Sequence, residues 1–187
     1  INIINTSNNS DNWFGENYYI WDKFLRNFKE IFYLEIGSFE GRSAVLIGEM
    51  QNVKEMTCVD TFEGSDEHTD IDFNIVLKNC SNNLNKIRPI TNLIKNTSDN
   101  FFYKNKKKFN VIYIDGSHYA DDVKKDFINA MTCLDKNGIL ICDDFNWFYY
   151  KNIQDNPIWA ILECYYNFKS NLKILLINHQ IIFKKIN

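Results

Sequence analysis

Proline and glycine are scarce, at 2 and 7 of 187 residues. That excludes collagen-like and low-complexity chains, and it means that glycines placed together at a strand-to-helix junction carry weight. Apolar runs are short, and none approaches the ~20 residues that a membrane-spanning helix needs. Positive charge is in deficit, with 21 Lys and Arg against 24 Asp and Glu and a net charge of −3, so the electrostatic footprint of a nucleic-acid-binding surface is missing. The basic cluster at Lys104, Lys106, Lys107 and Lys108 reads as a solvated loop. The five cysteines, Cys58, Cys80, Cys133, Cys142 and Cys164, include no CxxC pair. An odd, scattered set argues against a zinc site and for a reducing, cytoplasmic compartment. The chain begins at Ile1 and no signal peptide is visible, so it reads as trimmed or cut from a longer protein.

What is present is a globular composition, 45% hydrophobic and 16% aromatic, of a length that suits one domain over 1–187. Residues 1–12 are polar and asparagine-rich, a loose lead-in. Tyr18, Trp21, Phe24, Leu25 and Phe28 fall at helical spacing, which predicts a helix over 18–29 that packs on the core, with Trp13 or Tyr19 available to cover a ligand. Strands are expected at 31–34, 56–60, 87–93, 109–115 and 139–144, and a closing hairpin at 172–177 and 180–184. Pro89 cannot donate to a sheet ladder, so the third strand belongs at an edge. Helices are expected at 43–50, 71–84, 119–134 and 158–168. A shorter one after Asn96 would be capped by Ser98 or Asp99, and a turn is expected at Lys136, Asn137 and Gly138. Strands alternating with helices require a mainly parallel sheet with right-handed crossovers.

The stretch YLEIGSFEGRS, residues 33–43, organises the chain. An apolar strand runs into a loop with glycines at Gly37 and Gly41 and then into a helix, an arrangement that holds a nucleotide-like ligand. It is not a dinucleotide fingerprint, because Phe39 stands where the second glycine is needed. Asp60 ends the second strand about twenty residues on, where an acid bonds ribose hydroxyls, and Phe62 follows as a candidate to stack on a base. Four acids fall at strand ends: Glu35, Asp60, Asp115 and Asp143, with Asp144 next to the last. Such ends converge on the ligand crevice of an open α/β sheet. Three carboxylates at Asp115, Asp143 and Asp144 repel one another, and a hard divalent cation such as Mg²⁺ would relieve that cost. Adjacent strand residues point to opposite faces, so Asp143 and Asp144 can share a metal only where the strand has ended between them. His118, three residues past Asp115, is the first candidate for a general base, ahead of His68 in the acidic loop; His179 lies in the hairpin turn.

The loop resembles the first motif of class I S-adenosylmethionine-dependent methyltransferases, E/D-x-G-x-x-x-G, matched by Glu35, Gly37 and Gly41. The segments CVDTFEGSDEH, IYIDGSHYADDV and GILICDDFNW are similar to further landmarks of the macrocin-type and other sugar O-methyltransferases. The resemblance runs from about Trp13 to the C-terminus. It implies an α/β Rossmann-like fold, with a mainly parallel seven-stranded sheet, a C-terminal antiparallel hairpin and helices on both faces. It implies S-adenosylmethionine held by Glu35, Gly37, Ser38, Gly41, Ser43, Asp60, Thr61, Phe62, Ser98 and Asp115. Asp115, Asp143 and Asp144 match metal ligands, and His118, Asp115 and Asp144 are the catalytic candidates. A sugar or glycan acceptor follows, with glycosyltransferases as fused or separate partners. One departure stands out: related sugar enzymes often carry a second acid just past the fourth-strand aspartate, where this chain has Gly116 and Ser117. The competing readings are a catechol-like O-methyltransferase, whose hydrophobic gatekeeper loop is not evident, and a catalytically idle cofactor-binding domain of a glycan-assembly protein.

Overall fold

The computed structural model describes residues 17–65 and 68–187. Seven strands form one sheet in the order β3-β2-β1-β4-β5-β7-β6. The strands are β1 (Ile31–Ile36), β2 (Val53–Asp60), β3 (Ile90–Lys95), β4 (Phe109–Ile114), β5 (Leu134–Cys142), β6 (Leu172–Ile177) and β7 (Ile181–Lys185). The first five pair in parallel, and β7 runs antiparallel to both β5 and β6. The helices are α1 (Asn17–Leu25), α2 (Arg42–Gly48), α3 (Phe73–Leu84), α4 (Ser98–Lys104), α5 (Ala120–Cys133) and α6 (Pro157–Phe168). No helix among the described residues is long and apolar enough to cross a membrane.

The central strands are apolar almost throughout because both of their faces are covered. Tyr33, Val111 and Tyr113 pack with Trp21 and Leu25 of α1, Ala44 and Ile47 of α2, and Val76 and Cys80 of α3. Leu34, Ile36, Ile112 and Ile114 pack on the other face with Phe101 of α4, Val123 and Phe127 of α5, and Ile161 of α6. Three helices thus lie on each side of the sheet. Two adjacent crossovers leaving β1 and β4 in opposite directions open a crevice over their carboxyl ends.

Several boundaries differ from the sequence expectation for local reasons. Helix α1 stops at Leu25 rather than at Lys29. Strand β3 starts at Ile90, just past Pro89, and it is an edge strand as that proline requires. Thr97, not Ser98 or Asp99, caps α4: its hydroxyl accepts from Asn100 N at 3.2 Å. The expected turn at Lys136–Gly138 is a bulge inside β5. Register passes from Phe109–Leu134 to Val111–Ile139, and Asn137 has φ 65°. The lead-in 1–12 and the candidate lid Trp13 lie outside the described residues, and Tyr19 is exposed on α1.

Candidate active site

Gly37 is where β1 meets β4. Its φ is +85°, and a Cβ there would stand 1.9 Å from the carbonyl oxygen of Asp115, so only glycine lets the two strand ends touch. Gly41 precedes α2 with φ +79°. Between them the loop is held by Asp60 from the neighbouring strand. Asp60 Oδ2 accepts from Ser38 N and Phe39 N, both at 2.8 Å, and Oδ1 accepts from Phe62 N at 2.7 Å. A carboxylate offers about four acceptor positions. Asp60 therefore organises both the glycine loop and the turn after β2, and about one acceptor position remains. Thr61, next to it, is half-buried.

Glu35 lies at the end of β1 as expected, whereas Phe62 stands where the sequence did not put it. Glu35 is fully buried beneath the loop, where the Tyr33 hydroxyl donates to its Oε2 at 2.5 Å. Burial raises its pKa to about 7, against the pull of Tyr33, Ser43 and Ser38. Its place is the floor of the loop, with the buried Ser38 and Ser43 beside it. Phe62 was expected to stack on a base, but it is 3% exposed and belongs to the core beside α3. Its left-handed backbone (φ 53°) and the Asp60 bond to its N–H go with this inward turn of the ring. Phe39, also left-handed at φ 46°, stacks on His68 at 5.6 Å, and His68 Nδ1 accepts from Ser65 N at 3.1 Å. His68 thus packs over the glycine loop. Ser98 opens α4, and its hydroxyl favours the charged form of Asp126, a buried acid whose pKa burial nonetheless raises to about 7.

The other half of the crevice is acidic. Asp115, His118 and Asp144 each present a ligand atom, and these atoms lie within 4.8 Å of one another. His118 Nε2 pairs with Asp144 Oδ2 at 2.9 Å, and its ring meets the edge of Trp147 at 4.8 Å. Ser117 Oγ, bonded to Asp122 and accepting from Tyr119 N, fixes the short segment between β4 and α5 that delivers His118. Asp144 reaches the cluster because its backbone is left-handed, φ 55°, directly after β5 ends at Cys142.

Asp143 does not join them. Its Oδ2 accepts from Gln180 Nε2 at 2.8 Å and from the Tyr113 hydroxyl, and its Oδ1 accepts from Asp144 N at 2.9 Å. Of the expected set Asp115, Asp143 and Asp144, the structure groups Asp115 and Asp144 with His118, and Asp143 lies outside that grouping. Both aspartates follow the end of β5 and line the same hollow, but Asp143 is engaged by Tyr113 and Gln180 whereas Asp144 pairs with His118. Tyr113 and Gln180 were missed as site residues. Tyr113 was findable, since it lies two residues before Asp115 on the same strand face; nothing local to Gln180 marks it.

Asp115 has its pKa pushed well up by burial first and then by Asp143 and Asp144, and Asp143 is raised by burial and Asp144. A divalent cation at the Asp115–His118–Asp144 cluster would reverse those shifts, and two carboxylate oxygens with one imidazole nitrogen suit such an ion. The residues present therefore fit a metal. They line a small, partly open hollow that includes Asp143, Gly116, Val123 and Pro157 but no lysine or arginine.

A family model described as a methyltransferase domain matches residues 34–145, which span β1 to the end of β5 and both halves of the crevice. The chain belongs to this methyltransferase family. No curated protein matches the chain in sequence. Among solved structures, it is similar to an rRNA methylase from Streptococcus thermophilus at 12% identity and a TM-score of 0.65, covering 90% of this chain and 95% of that one. It is similar to the O-methyltransferase TomG from Streptomyces achromogenes, solved with SAM, at 9% identity and 0.64, covering 92% and 79%. It is also similar to an O-methyltransferase from Bacillus cereus, solved with SAH, at 14% identity and 0.59, covering 97% and 84%. At these identities the likeness shows the methyltransferase fold alone. The neighbours methylate different kinds of molecule, so the acceptor must be argued from this chain's own site.

Proposed function

We propose that this methyltransferase domain transfers the methyl group of S-adenosylmethionine to a hydroxyl of a sugar or glycan, assisted by a divalent cation. The observation that carries the reading is the convergence of Asp115, His118 and Asp144 at the strand ends across the crevice from the Asp60-bound glycine loop. The sulfonium supplies an activated methyl group, and the hydroxyl oxygen displaces the thioether in line while losing its proton. A sugar hydroxyl is a poor acid, and a bound cation would lower its pKa at the site. Asp115 and Asp144 would hold the ion. His118 either completes the ligand set or, oriented by Asp144, takes the hydroxyl proton; a base in that role contributes typically ~10²–10⁴-fold.

Two features favour a neutral acceptor. The hollow is lined by three aspartates with no lysine or arginine, and the chain carries a net charge of −3. Polyanions such as RNA or phosphate-bearing thioesters would be repelled. Glycosyltransferase partners and a cytoplasmic location belong to the same proposal. Methyl transfer from labelled S-adenosylmethionine to a panel of neutral monosaccharides and glycosides, with catechols alongside, tests the acceptor. Chelation should abolish transfer, and Mg²⁺ or Mn²⁺ should restore it. Full activity in metal-free protein would sink the cation. His118→Ala then separates the two roles: a lost ligand weakens Mn²⁺ binding, whereas a lost base leaves Mn²⁺ bound and lowers turnover about a hundredfold or more.

A further inference from the structure

The two side chains that donate to Asp143, Gln180 and Tyr113, have no assigned part in the reaction. Gln180 and Tyr113 are each 1% exposed, and both address Oδ2 of Asp143; the Tyr113 hydroxyl stands between that oxygen and Asp115 Oδ2, 2.8 Å from the latter. Gln180 in turn is clamped. Its Oε1 accepts from Trp21 Nε1 at 2.8 Å, and Trp21 is fully buried with its ring at the edge of Tyr113, centroids 4.6 Å apart. An indole N–H can only donate. The amide of Gln180 is therefore fixed with oxygen toward Trp21 and nitrogen toward Asp143. Helix α1, strand β4 and the turn into β7 thus meet around one carboxylate.

That carboxylate controls its neighbour. Asp143 Oδ1 accepts from Asp144 N, and Asp144 N belongs to the left-handed residue whose side chain pairs with His118. An aspartate in that conformation carries local strain and persists where its surroundings impose it. Asp143 Oδ1 holds it from the amide side, while Trp147 N donates to Asp144 O at 3.1 Å and Phe145 N donates to His179 O at 2.7 Å. If Asp143 rotated away from Gln180 and Tyr113, the hold on Asp144 N would be lost.

We propose that Gln180, held by Trp21, and Tyr113 are positioning residues. They fix the Asp143 carboxylate so that its Oδ1 holds Asp144 N, the backbone of Asp144 stays left-handed and its carboxylate faces His118 and Asp115. The inference uses the proposed function only in treating that centre as reactive, and its geometry stands without a metal. A polar contact that merely satisfied buried groups would affect stability and nothing else.

The test uses Gln180→Met, close in shape but unable to donate, and Tyr113→Phe, which keeps the ring against Trp21. The readout is the imidazole ¹H–¹⁵N spectrum, with the His118 signals assigned by His118→Gln. Both variants should shift the His118 ring nitrogens and leave His179 in place. Mn²⁺ titrated alone should bind about tenfold or more weakly, the usual size of a lost supporting bond behind a metal ligand. S-adenosylhomocysteine affinity should be unchanged, since that ligand is held by the other half of the crevice. Folded variants with unshifted His118 signals would overturn the inference. A parent protein that binds no Mn²⁺, with variants that still shift His118, would overturn the cation and leave the positioning role standing.

Discussion

Glu35 and Asp126 are acids that the fold keeps in apolar surroundings, each with a pKa raised to about 7 by burial. The sign of the consequence follows from proton counting. Between about pH 4 and 7 the unfolded chain releases these protons and the folded chain retains them, so stability falls as pH rises through that window. A shift of one unit corresponds to about 1.4 kcal/mol, so each group costs on the order of a few kcal/mol above pH 7 relative to pH 4. Asp126→Asn removes one of the two. In urea denaturation, the stability of Asp126→Asn relative to the parent should improve steadily from pH 4.5 to pH 7.5. Parallel curves for the two proteins would show that Asp126 does not titrate there. None of this was legible in the sequence, where Asp126 is one acid among several on α5. Its burial is set by α4 and the end of β4 packing over it.

At the scale of elements, the junction of β1 and α2 was read correctly from its glycines, but the two glycines do different work. Gly37 lets two strand ends meet, and a side chain there has no room, because the atom it would strike belongs to the backbone of Asp115. Gly41 supplies a left-handed residue before α2, and a Cβ there would meet the side chain of Cys80 at 3.2 Å. Gly41→Ala should therefore cost about 1–2 kcal/mol, the usual price of a left-handed alanine. Gly37→Ala should cost more than ~4 kcal/mol or prevent folding, as changes that force backbone apart do. Equal losses in chemical denaturation would remove the special status of Gly37. The β5 bulge shows the limit of local reading. Lys136, Asn137 and Gly138 look like a turn, and they do turn, yet pairing with β4 on both sides absorbs them into one strand.

For the whole molecule, the crevice divides into a glycine-loop half and an acidic half, and the proposed placing of the cofactor on the first makes a prediction about ligands. S-adenosylmethionine at about 100 times its dissociation constant should stabilise the chain by ~2.7 kcal/mol. That is a rise in Tm of roughly 5–10 °C for a domain of this size. NAD should give no shift, because Phe39 occupies the close-approach position in the loop. Asp60→Ala should remove most of the S-adenosylmethionine shift, since Asp60 both anchors Ser38 and Phe39 and offers the remaining acceptor position. An unchanged shift in that variant would take Asp60 out of the cofactor site.

The sequence by itself determined the alternation of strands and helices, the glycine junction, the edge position of β3 and the acids at the strand ends. Each of these is written in local signals: apolar runs, a residue without a Cβ, a residue without an N–H, charge where a strand stops. Only the tertiary structure decided what those acids do. Asp143 and Asp144 are chemically identical neighbours. One is turned into a buried cage by Gln180, 37 residues away, and the other toward His118, 26 residues before it. Phe62 likewise looks like a stacking residue until α3 packs around it. Side-chain direction at a strand end depends on partners brought together by the sheet order, and that order joins β5 to β7 across the whole of α6.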